Sequence, residues 1–161
     1  MSDRPEVQLV LPARPEGVGV VRQALSGMAD ALAIDADVLA DMKMAVTEAC
    51  TNVVLHAYSG APEPGPLEIG LLAGEDGLTV IVADRGSGIQ PRASRAGSPA
   101  LGLGLPLIAA LSNSFELRGS AGGGTEVKMT FLYVRQGDPV QANPIGETGW
   151  EPPGEASQQS A

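Results

Sequence analysis

Polar and apolar positions fall into short blocks whose period changes along the chain. Glu6–Leu11 (EVQLVL) alternates and then runs apolar, which predicts a short strand ended by Pro12. Pro15, Glu16 and Gly17 read as punctuation. Val18–Leu32 (VGVVRQALSGMADAL) then carries apolar residues at helical spacing, with Arg22 and Gln23 on the polar side. Asp35 is the expected N-cap of a second helix that runs to about Tyr58. Ser59–Pro66 is a loop by composition. Leu67–Leu72 and Leu78–Ala83 predict two strands, joined by a hairpin turn at Gly74–Gly77. Leu101–Leu111 (LGLGLPLIAAL) opens with glycines and continues as an apolar helix. Ser114–Arg118 and Glu126–Val134 predict a last strand pair around Ser120–Gly124. Helices stand early and mid-chain, strands arrive as hairpins, and no strict βαβ alternation occurs. That order predicts an α+β two-layer sandwich, a mostly antiparallel mixed sheet with helices on one face.

Composition narrows this picture. Apolar residues make up 43% and aromatics only 3%, so the core must be built from Val, Leu, Ile, Ala and Met. From Gln136 the chain is polar and rich in Pro and Gly, which predicts one domain over residues 1–135 and a flexible tail over 136–161, with Trp150 its one aromatic residue. A net charge of −9 argues against a nucleic-acid partner, yet leaves room for a local nucleotide site. The single cysteine, Cys50, excludes an internal disulfide and a multi-Cys zinc site. No run approaches the roughly 20 apolar residues of a membrane span. The expectation is a cytoplasmic protein with no membrane partner.

The stretch Thr47–Tyr58 (TEACTNVVLHAY) carries the first candidate chemistry. At about 100° per residue, Leu39, Met42, Val46, Ala49, Val53 and Ala57 share one stripe, the core face. Glu48, Asn52 and His56 form a second stripe that flanks it. A carboxylate at a core boundary costs free energy unless it has a partner or a task. Two readings stay open on these residues alone. Either the edge is a solvated helix flank, or Asn52 offers a neutral oxygen to Mg²⁺ and Glu48 serves as a general base. Asp84 ends a strand and opens D-R-G-S-G. Its carboxylate suits an exocyclic amine, and Gly86 and Gly88 let the backbone approach closely, although an ordinary turn has the same pattern. Gly102-Leu103-Gly104-Leu105 precedes an apolar helix, with Pro106 tolerable in its first turn; glycines before a helix N-terminus can form an anion site, although a lone G-x-G is a weak pattern. It lacks the Lys-Ser/Thr ending of a Walker A loop. Gly122–Thr125 is either a glycine-rich hairpin turn or a means of placing the Thr125 hydroxyl near Asp84.

Taken in order, E-x-x-x-N-x-x-x-H, D-x-G-x-G, G-x-G-L and G-G-T resemble the GHKL, or Bergerat, ATP-binding fold of DNA gyrase B, Hsp90, MutL and histidine kinases. Within it, TEACTNVVLHAY and GLGLPLI look most like the serine-protein kinases that act as anti-sigma factors, the RsbW and SpoIIAB type. The resemblance covers roughly Val7–Val134. It implies ATP and Mg²⁺ as ligands. Asn52 is then the metal-binding residue, Glu48 the general base toward a protein hydroxyl, and Asp84 the partner of the adenine amino group. Gly86 and Gly88 shape that pocket, Gly102 and Gly104 line the phosphate region, and Thr125 backs the adenine. Ile89–Leu101 becomes an ATP lid, in which Arg92 and Arg95 read either as phosphate ligands or as solvated loop residues. Arg22 aligns with an arginine that touches partners. His56 is expected to make a structural hydrogen bond at the helix end. The implied activity is transfer of the ATP γ-phosphoryl group to a serine or threonine of a STAS-type anti-anti-sigma factor, which frees the kinase to sequester an RNA polymerase sigma factor. A homodimer is a further implication. The alternative is a nucleotide-dependent partner-binding regulator without kinase activity.

Overall fold

The computed structural model describes residues 6–87, 104–119 and 122–133. Strand β1 (Val7–Pro12) leads into helices α1 (Pro15–Leu32) and α2 (Ala36–Asn52), and α2 continues as a π-helical turn, Val53–Ala57. Strands β2 (Pro66–Ala73) and β3 (Gly77–Asp84), helix α3 (Gly104–Leu111), and strands β4 (Ser114–Gly119) and β5 (Thr125–Leu132) follow. The sheet order is β1-β2-β3-β5-β4, and each described pairing is antiparallel. Gly74 N–H donates to the Gly77 carbonyl at 2.7 Å, closing the expected hairpin.

Strand period explains how the two layers meet. Along β3, Leu78, Val80, Val82 and Asp84 are buried while the residues between them are half-buried. The period of two therefore places a carboxylate at the end of an apolar row that faces the helices. Leu67, Ile69 and Leu71 of β2 and Val127, Met129 and Phe131 of β5 extend the same surface. Helix α1 brings Val21, Leu25 and Ala29 to it, α2 brings Met42, Ala45, Val46, Ala49 and Cys50, and α3 brings Ile108. The stripe read from the sequence is this core face, with Leu39 packed at its edge. Burial pushes the Cys50 thiol up to about 12, so it stays an inert apolar filler.

Several boundaries differ from the sequence pattern. Helix α1 starts at Pro15, because proline suits the first helical position and Glu16 complements the helix dipole. Asp35 occupies the N-cap of α2, but its side chain makes no capping hydrogen bond. Helix α2 ends its regular turns at Asn52, and the remaining residues to Ala57 take the wider π-turn. The Ala57 carbonyl at its end is used outside the helix, by the loop after β3. Gly88, Gly102, the Ile89–Leu101 segment with Arg92 and Arg95, and the 136–161 segment lie outside the described residues. Among the described residues, no helix is long and apolar enough to cross a membrane.

Candidate functional site

Helix α2 sets the axis of the site. At its Glu48 end it packs against the start of α3. Gly104, buried at the first position of α3, lies so close to the Glu48 side chain that a Cβ there would overlap the carboxylate. The glycine thus lets the Glu48 carboxylate stand directly against the first described turn of α3. Asn52 follows one turn later, half-buried on the same helix. Ala57 closes the π-turn beyond Asn52, at the far end of this edge from Glu48. There Gly86 meets the Ala57 carbonyl, again at a distance that leaves no room for a Cβ.

The loop after β3 is held amide by amide. Arg85 N–H donates to the Tyr58 hydroxyl at 2.9 Å, Gly86 N–H to Asp84 Oδ1 at 2.8 Å, and Ser87 N–H to the Ala57 carbonyl at 3.0 Å. Asp84 is only 8% exposed and is the one buried acidic side chain among the described residues. Burial raises its pKa. Hydrogen bonds from Gly86 N–H and from the backbone and hydroxyl of Thr125 pull the other way. Thr125 opens β5 and stands beside Asp84, the juxtaposition suggested by the G-G-T pattern. A carboxylate offers about four acceptor sites, so Gly86 and Thr125 leave it acceptor capacity for a ligand. The donor set therefore fits an exocyclic amine.

Asn52 fits Mg²⁺ in the same sense. A hard cation of this size takes one or two protein oxygens and completes its shell with water and phosphate. Among the described residues, no group of three or more His, Cys, Asp or Glu is placed to hold a metal by itself. A metal here would depend on the phosphates of a bound nucleotide.

Glu48 also faces a second feature. It lines a cavity of about 380 Å³ with Arg22, Ala40, Lys43, Met44, Thr47 and Leu107. Arg22 Nη1 donates to Thr47 Oγ1 at 2.8 Å, and Thr47 in turn donates to the Lys43 carbonyl at 2.5 Å. Among the described residues the ion pairs engage Arg14, Arg85 and Arg118, so Arg22 and Lys43 bring unpaired positive charge to this groove. The structure thus joins Arg22 to Glu48 and Asp84 to Thr125, with Asn52 between. His56 does not join them. Its imidazole is exposed, and the hydrogen bond at the helix end is accepted by its backbone carbonyl from Ser59 Oγ at 3.2 Å. Sequence reasoning passed over Tyr58 and Thr47. Tyr58 carried one signal, because a tyrosine in an aromatic-poor core needs a partner for its hydroxyl.

Residues 11–131 match the family described as histidine kinase-like ATPase domain. The chain belongs to this family. Its relatives named serine-protein kinase RsbW include one from Bacillus licheniformis, 37% identical over 142 residues, which cover 81% of this chain and 87% of the relative. Another, from Halalkalibacterium halodurans, is 38% identical over 128 residues, covering 72% and 77%. With RsbW of Bacillus pumilus the match is 44% over 81 residues and spans half the length of each chain. Among solved structures, the RsbU and RsbW domains of a Mycobacterium tuberculosis protein superpose with TM-score 0.62 at 25% identity, covering 80% of this chain and 32% of that one. The SiaB-SiaC complex from Pseudomonas aeruginosa gives 0.64 at 15% identity, covering 80% and 90%, and shows the shared fold. This histidine kinase-like ATPase chain therefore sits beside RsbW-type relatives in sequence and in architecture.

Proposed function

We propose that the chain is an ATP-dependent protein serine/threonine kinase and anti-sigma factor of the RsbW type. The observation that carries this reading is the placement of the Glu48 carboxylate. It lies against Gly104 at the N-terminus of α3 and opens into the groove lined by Arg22 and Lys43. One group thus borders both the start of α3, where the resemblance expects the nucleotide phosphates, and an accessible surface.

In this reading Asp84 accepts from the adenine amino group, with Thr125 behind it and Gly86 and Gly88 shaping the pocket. Gly102, Gly104 and the first turn of α3 face the phosphates. Asn52 holds Mg²⁺, which when bound neutralises phosphate charge. Glu48 accepts the proton of the partner's serine or threonine hydroxyl as its oxygen bonds to the γ-phosphorus. The bond from that phosphorus to the β,γ-bridging oxygen breaks, and ADP leaves. Arg22 helps to dock the partner, a STAS-type anti-anti-sigma factor. Phosphorylation of that partner releases the chain to bind an RNA polymerase sigma factor in the cytoplasm. A homodimer completes the proposal.

The test is transfer of labelled γ-phosphate from ATP to purified STAS-domain proteins. Glu48→Ala should lose transfer while retaining ATP binding. Undiminished transfer in that variant overturns the base. ATP-dependent association with a STAS protein that gains no phosphoserine or phosphothreonine overturns the kinase and leaves a nucleotide-dependent binding protein.

A further inference from the structure

Tyr58 ties three parts of the fold together at the Asp84 end. Its hydroxyl accepts from Arg85 N–H at 2.9 Å and donates to the Pro66 carbonyl at 2.6 Å. The register that pairs Leu67 with Asp84 makes Pro66 and Arg85 the next residues opposite each other. The phenol oxygen therefore stands where the next rung between β2 and β3 would close. Pro66 has no N–H to offer such a rung, and a hydroxyl can donate to one strand while accepting from the other.

The ring is fixed as well as its hydroxyl. A Cβ at Gly65 would overlap the Tyr58 ring, so the glycine before Pro66 leaves the space in which the ring sits. Tyr58 also directly follows Ala57, whose carbonyl holds Ser87 N–H. Two consecutive residues at the end of the π-turn thus fix the loop on both sides of Gly86. Of the three bonds that hold the amides of Arg85, Gly86 and Ser87, only the one from Tyr58 comes from a side chain of the helical segment.

We propose that Tyr58 is the residue that positions Asp84 for base recognition, and so sets the preference for a 6-amino purine over a 6-oxo purine. The inference rests on the reading of Asp84 as the adenine-binding carboxylate. Asp84 must offer its remaining acceptor site in one direction. Adenine presents an amino donor to it, whereas guanine presents a carbonyl oxygen that the carboxylate repels. The Tyr58 bridge fixes the Asp84–Arg85 peptide and so the direction of that acceptor. Without the bridge, Arg85 N–H and the Pro66 carbonyl are free to pair directly, drawing the strands together and turning the carboxylate.

The experiment is calorimetric titration of the full chain with Mg-ATP and Mg-GTP. Tyr58→Phe keeps the ring against Gly65 and loses both hydrogen bonds. It should weaken ATP binding roughly tenfold, the scale of one or two lost hydrogen bonds, with GTP binding little changed, so that the ATP-to-GTP preference falls. Gly65→Ala, which displaces the ring while keeping the hydroxyl, should lower the same ratio. If Tyr58→Phe does not fold, the Gly65 variant decides. Leu25→Ala, at a fully buried residue of α1 that makes none of the hydrogen bonds of this loop, supplies a variant of reduced stability whose ratio should match the wild type. The inference is overturned if the folded loop variants keep the wild-type ratio, or if Leu25→Ala lowers it equally. Failure of the wild type to bind ATP overturns the nucleotide site itself, which is a different result.

Discussion

Asp84 concentrates the energetic tension of the molecule in one side chain. Its carboxylate is buried at the end of an apolar row and is held by Gly86 and Thr125. Burial is the largest influence on it and raises its pKa above the ordinary carboxylate value. The stability that this group contributes is then complete below the ordinary carboxylate range, about pH 3.9, and is lost as pH rises through its raised folded value. Asp84→Asn removes the charge with little change of shape. Without nucleotide, this variant should melt no lower than the wild type at neutral pH, with its relative advantage shrinking as pH falls below about 4. The same variant should lose ATP binding by roughly tenfold or more, because a neutral amide oxygen accepts more weakly than an ionised carboxylate. Thermal melts across pH, paired with ATP titration, check both parts. A loss of stability at neutral pH alone would show that the carboxylate's hydrogen bonds outweigh its desolvation. Asp84 was legible in the sequence because it ends an alternating strand and precedes glycines. Tyr58 was not, since its partners Arg85 and Pro66 are distant along the chain and become neighbours only through the β2–β3 register.

At the scale of elements, the decisive contact joins the π-turn to the loop after β3. Gly86 sits against the Ala57 carbonyl with no space for a Cβ. Gly86→Ala should force the loop off α2, cost about 1–3 kcal/mol of stability as overpacking does, and weaken ATP binding. Gly27→Ala makes the contrast. Gly27 lies within α1 with nothing near its missing Cβ, so this change should raise stability by about 0.4–1 kcal/mol and leave ATP binding intact. Denaturant titration and calorimetry of the pair separate a site effect from a general one. The helical period located Glu48 and Asn52 on one edge of α2. It also grouped His56 with them, because a constant 3.6-residue period cannot anticipate a π-turn starting at Val53. Nor does any local pattern show that Glu48 will meet Gly104, which is brought to it by packing of α3 on α2.

For the whole molecule, nucleotide binding should appear as stability. Mg-ATP at 100 times its dissociation constant adds about 2.7 kcal/mol, or several degrees in Tm for a domain of this size. Asn52→Ala should keep part of the shift given by ATP and lose its dependence on Mg²⁺; a variant with unchanged metal dependence would remove Asn52 from the metal site. What the sequence by itself determined was local and periodic. Alternation made the strands, apolar stripes made the core faces of α1 and α2, glycine placement marked the turns, and the order of hairpins and helices selected a two-layer α+β sandwich. These follow from interactions between residues a few positions apart and from which face must leave water. The tertiary structure decided what stands beside what: Glu48 against Gly104, Thr125 beside Asp84, Arg22 on Thr47, and the Tyr58 hydroxyl between two strands. Such contacts depend on sheet register and helix packing, where a one-residue slip would reverse a strand's faces. Only the assembled core fixes that register.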